Sequence, residues 1–143
     1  MAYEKIDDAI WGAWERVERI HEVRVIPDSL DTLLRFVEKP FQEAVGIFYT
    51  KNIQTIGSSC NYADYCRGFA WISLDGAGLT PANNAVVNRY EHADRTTIDG
   101  TDKPIIGLLF PIDEQELPEI IGERATALAQ IFENQPEPTC PWA

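Results

Sequence analysis

The segment Phe41–Asp75, FQEAVGIFYTKNIQTIGSSCNYADYCRGFAWISLD, constrains this fold more than any other. It holds two strand-like runs, Ile53–Ser58 and Gly68–Asp75, both short and rich in β-branched or aromatic residues. Only about ten residues separate them, whereas a parallel pair needs a crossover of a dozen or more, so antiparallel neighbours are expected. In the second run Ala70, Ile72 and Leu74 make one apolar face. Phe69, Trp71 and Ser73 make the other, which predicts at least partial cover on both sides.

The loop between the strands concentrates chemically capable side chains: Ser58, Ser59, Cys60, Asn61, Tyr62, Asp64, Tyr65, Cys66, Arg67 and Gly68. Three uses follow from these residue types. Tyr62, Tyr65, Phe69 and Trp71 offer stacking surface, and Asn61, Arg67 and the two serines offer polar contacts. That set suits a small planar or anionic ligand such as a nucleotide. The Ser58–Cys60 strand end can also leave backbone N–H groups free for an anion. Cys60 could instead act as a nucleophile with His92 as its base and Asp64 or Asp94 as orienter. The bland alternative is that the loop closes a turn, with Cys60 a small buried hydrophobe and the rings core material.

Around this segment the chain reads as helices with fewer strands. Ile6, Ile10, Trp14, Val17 and His21 lie three and four apart, predicting a helix from Tyr3 to about Val23 with a structural His21 at its end. Val23–Ile26 reads as a short strand or connector. Asp28 or Ser29 then caps a second helical pattern, Leu30, Leu33, Leu34, Val37, Phe41, Ala44, Val45 and Phe48. Pro40 divides it into two pieces on one core, and Lys51-Asn52 ends it.

Thr80-Pro81 opens a helix to about Glu91. His92–Lys103 lacks periodicity and is expected to be a mobile loop. Pro104–Ile112 is almost continuously apolar, as a central strand covered on both faces would be. Asp113–Glu116 resembles a capping box before a last helix, which starts at Glu114 or Pro118 and ends near Glu133. The tail 134–143 is expected to fray, or to dock through Trp142.

The expected architecture is α+β: a small, mostly antiparallel, three-stranded sheet against four to five helices, in the order αα-β-β-α-β-α, as one domain over 1–143. Twelve Lys and Arg against 23 Asp and Glu give a formal charge of −11. With no clustered basic patch, that disfavours nucleic acid and suits a basic protein partner. No apolar run is long enough for a membrane span or signal, and three cysteines are too few for a disulfide scaffold. The chain therefore reads as a cytoplasmic, soluble protein with free thiols. Cys60, Cys66, His92 and Cys140 do not have zinc spacing, and no nucleotide or metalloprotease motif is present, so neither metal nor cofactor is expected.

The leading expectation is a small acidic binding protein without catalytic activity, acting on a protein partner as an inhibitor or immunity protein does. A ligand-binding loop over Ser58–Gly68 and a Cys60/His92 enzyme are the alternatives. Four tryptophans, including Trp11, Trp14 and Trp142, further predict a homo-oligomer joined through the first helix or the tail.

Overall fold

A central β-hairpin-like pair, widened to four strands, carries the molecule. The computed structural model describes residues 8–20 and 29–136. In chain order these form α1 (Asp8–Glu15), α2 (Leu30–Leu34), a 3₁₀ turn at Lys39–Phe41, α3 (Gln42–Thr50), β1 (Thr55–Ser59), α4 (Tyr62–Arg67), β2 (Phe69–Asp75), α5 (Pro81–Arg89), β3 (Ala93–Thr97), β4 (Pro104–Pro111) and α6 (Pro118–Ile131). All pairings are antiparallel, in the spatial order β1-β2-β4-β3. The fold class is α+β. Among the described residues none of the helices is long and apolar enough to cross a membrane.

The three-stranded expectation is corrected to four strands, and four to five helices to six α-helices among the described residues. The extra strand is β3, which occupies the stretch read as a mobile loop. It is a sheet edge, so its exposed Asp94, Thr96 and Thr97 show no apolar alternation. Its inward position, Arg95, reaches back to the side chains of Asn84 and Asn88 on α5. The extra helix is α4, hidden in the ten-residue connection because it is under two turns long.

Other boundaries move less. Helix α1 ends at Glu15, and Arg16–Ile20 are not helical, so the first helix does not continue toward Val23. The expected start at Tyr3, His21, the Val23–Ile26 strand, Asp28, Cys140 and Trp142 lie outside the described residues. Ser29 is the N-cap of α2, its hydroxyl accepting from the Thr32 N–H at 3.2 Å. The Leu30–Phe48 pattern is divided as Pro40 dictates, with Pro40 in the first turn of the 3₁₀ segment. Asn52 ends α3 with a φ of 61°. The Asp113–Glu116 box closes a separate turn, Glu116 Oε1 accepting from the Asp113 N–H at 2.6 Å, and α6 begins only at Pro118.

One face of the sheet, Ala70, Ile72 and Leu74 with Ile106, Leu108 and Phe110, is buried against Trp14, Phe41, Phe48, Val86, Val87, Ile121 and Ala125. Each of the larger apolar side chains among these contributes about 1.5–3 kcal/mol by leaving water. Helix α6 crosses the 3₁₀ turn at Gly122, where a Cβ would stand 2.3 Å from the Pro40 carbonyl oxygen. Only glycine permits that approach.

Two polar clamps close the periphery. Lys51 Nζ donates to the carbonyls of Ala129, Gln130 and Phe132, capping the end of α6. Buried Gln135 bonds Asn83, Gly78 and the backbone of Asn52, tying the chain after α6 to two distant loops.

Candidate functional site

Eight residues are expected to form a ligand site: Ser58, Ser59, Cys60, Asn61, Tyr62, Tyr65, Arg67 and Trp71. Ser58 pairs with Ile72 within the sheet, and the other seven separate into three environments. The first is a buried polar corner at the start of α4. Asn61 is the N-cap, its Oδ1 accepting from the Ala63 N–H at 2.9 Å. Asp64 reaches back, its Oδ2 accepting from the Asn61 N–H at 2.9 Å and from the Ser59 hydroxyl at 2.6 Å. Arg67 pairs with the other oxygen of the same carboxylate.

Glu38, arriving from the link between α2 and the 3₁₀ turn, completes the corner. Its Oε1 accepts from the Cys60 N–H at 2.6 Å, and its Oε2 accepts from Asn61 Nδ2 at 2.6 Å and from the Ile20 N–H at 3.4 Å. Burial pushes the Glu38 carboxyl above its usual range, and the Asp64 charge adds to this. The three hydrogen bonds act against it without cancelling it. The N–H groups of Cys60 and Asn61 are therefore already taken by the protein's own carboxylates, so neither is free for an anion.

Cys60 is fully buried in this corner. Burial, with the charges of Asp64, Glu38 and Glu119 nearby, pushes its thiol up, the reverse of what an attacking thiolate needs. Its expected base is not beside it. Ser59, Trp71, Leu109 and His92 lie on one row across the sheet, from the β1 edge to the β3 edge. Three strand spacings, roughly 14 Å, separate the ends of that row. His92 instead faces Glu91 at 3.9 Å and stacks edge-on against Tyr90. The Cys60/His92 pairing is not assembled in this structure, because the two residues occupy opposite edges of the sheet.

The second environment is aromatic core. Tyr65 is buried against Trp14, ring centroids 5.2 Å apart, and Trp14 Nε1 donates to the Glu116 carbonyl at 2.7 Å. Tyr62 sits at its margin, edge-on to Trp11 at 4.7 Å, while Trp11 Nε1 donates to Glu15 at 2.7 Å. Both tryptophans of α1 thus have partners within the chain. A cleft of about 780 Å³ lies elsewhere, between residues 13–20, the 3₁₀ turn and the first half of α6. None of the eight loop residues lines it, and its cations and carboxylates are mixed around the walls.

The third environment is the outer face of the sheet, opposite the core. Here Phe69, Trp71 and Ser73 of β2 stand beside Pro111, Leu109 and Gly107 of β4. Gly57 and Ser59 of β1 and Asp94 of β3 flank them. Every one of these residues is half-buried or exposed, as on a sheet face over which none of the described helices is laid. The Trp71 ring reaches to within 3.4 Å of where a Cβ on Gly57 would stand, and the Arg67 guanidinium lies 5.6 Å from the Phe69 ring centre. Among the described residues the inward-facing Ala70, Ile72, Leu74, Ile106, Leu108 and Phe110 are buried and these outer ones half-buried to exposed, so the cover expected on both sides is only partial on the outer one.

Compared with protein-family models, curated proteins and solved structures, the chain matches none. Function must therefore be read from this geometry alone.

An antiparallel sheet with one solvated face alternates apolar inward and polar outward. This one breaks the rule at its centre, where Phe69, Trp71, Ile105, Leu109 and Pro111 point out. Of the loop residues, Trp71 belongs to this face and Arg67 to its rim. Leu109 and Ile105 escaped the sequence reading, although the unbroken apolar run of β4 was their signal. Glu38 left no signal, since a glutamate between helices reads as surface.

Proposed function

We infer that this chain is a non-catalytic binding protein that works by protein–protein contact through the outer face of its sheet, in the manner of an inhibitor or immunity protein. The observation that supports this is the apolar centre of that face, with Trp71 and Phe69 as aromatic anchors of the kind that dominate contact energies. Its β3 side is rimmed by Glu91, Asp94, Asp99 and Asp102, and the whole chain carries −11, so the matching partner presents an apolar patch with a basic surround. A reducing, cytoplasmic setting fits the free thiols of Cys60 and Cys66.

The test is purification of the partner on wild-type chain and on a Trp71→Ser/Leu109→Ser variant, followed by reconstitution from purified components. A stoichiometric complex weakened at least about thirtyfold in the variant, and weakened by salt, is expected. Equal affinity for the variant would overturn the reading. So would a thermal shift with nucleotides or metabolites that is lost in Asn61→Ala/Arg67→Ala, which is the outcome belonging to a ligand site on Ser58–Gly68.

A further inference from the structure

We propose that the free protein masks this same outer face with a second copy of itself, the two sheets stacking as a face-to-face sandwich. The inference rests on the reading of that face as the binding surface. Its carrying observation is the way side-chain size is distributed over the two central strands. Row by row, β2 presents Phe69, Trp71 and Ser73 where β4 presents Pro111, Leu109 and Gly107. In these three rows the larger partner stands on β2 and the smaller on β4; the fourth row, Asp75 beside Ile105, reverses the order at the far end of the face.

A two-fold axis lying between the sheets and parallel to the strands places β2 of one copy over β4 of the other. Phe69 then meets Pro111, Trp71 meets Leu109, and Ser73 meets Gly107, each contact made twice. That is the self-complementarity an isologous interface requires. The rotation that instead sets like strand over like strand would bring Trp71 onto Trp71 and leave the β4 column unfilled. Charge follows the same operation. Arg67 stands at the rim where β2 begins, and exposed Asp113 follows the end of β4, so the axis that matches sizes also brings these opposite charges to one side of the contact.

The face measures about 19 Å by about 17 Å, and stacking two of them removes roughly 1,000 Å² in total, the low end for specific association. A dissociation constant on the order of tens of micromolar is expected. Each copy carries −11, so like charge opposes the dimer and salt tightens it, the reverse of its effect on a basic partner.

Sedimentation velocity and light scattering of the purified chain from about 1 to about 200 µM, in low and in 0.5 M salt, test this. The expected result is a mass rising toward twice 16.1 kDa, with a midpoint that falls severalfold in high salt. Both Trp71→Ser and Leu109→Lys should remain monomeric throughout, with near-wild-type circular dichroism; two variants are used so that one misfolded chain does not decide the matter. A wild-type chain monomeric at every concentration overturns the proposal, as does a dimer that both folded variants retain. Either result leaves the wider reading intact, because that reading is decided by partner affinity and by the ligand thermal shift, neither of which depends on self-association.

Discussion

Glu38 shows how much a single side chain can hold. It satisfies three donors, one from Ile20 and two from the adjacent Cys60 and Asn61, and so joins two distant stretches of chain to its own. Glu38→Gln keeps the shape but sets an amide against N–H donors, and should cost about 1–3 kcal/mol in urea unfolding. Because burial raises its folded carboxyl above the unfolded value of 4.5, the native state holds this proton more tightly. Its contribution is fully present below that unfolded value and is lost as pH rises through the folded one. The stability margin of wild type over Glu38→Gln should therefore shrink from pH 4 upward, and a margin that grows with pH would contradict the assignment.

Cys60 offers a second check. Iodoacetamide at neutral pH should modify exposed Cys66 and leave Cys60 unlabelled until the protein unfolds, as peptide mass mapping would read. Gly122→Ala should lose about 2–4 kcal/mol, since its Cβ meets Pro40 backbone rather than a side chain that can swing aside.

At the scale of elements, the helices other than α4 announced themselves and the sheet did so only in part. Leu30–Phe48 was legible because its apolar spacing is helical, and the break was legible because Pro40 lacks an N–H. The β1–β2 pair followed from loop length alone. β3 was illegible: an edge strand writes Asp-Arg-Thr-Thr where a covered one writes alternation, and its inward Arg95 finds amides on α5 rather than hydrophobes. The corner at Asn61 was legible as polar and crowded, yet its meaning reversed once Glu38 arrived from twenty-odd residues away. The Gln135 clamp joins elements in the same manner, linking Asn83 at the start of α5 to the chain after α6. Gln135→Ala leaves the Asn83 amide and the Gly78 carbonyl short of partners and should lower stability by about 2–3 kcal/mol, measured by thermal unfolding.

At the scale of the molecule, the described helices cover one side of one sheet, and the other side carries the aromatic surface. Replacing Trp71 or Leu109 there should change stability by less than about 1 kcal/mol while altering association strongly, because neither is a core residue in the isolated chain. The indole of Trp14 bonds to the carbonyl of Glu116, 102 residues further on. The first described helix is thus completed only by the segment that leads into the last. A ribosome that has released everything up to β4 has still not supplied that acceptor. The N-terminal helix must wait, and the emission of Trp14 in a refolding experiment should report the final step of assembly rather than the first.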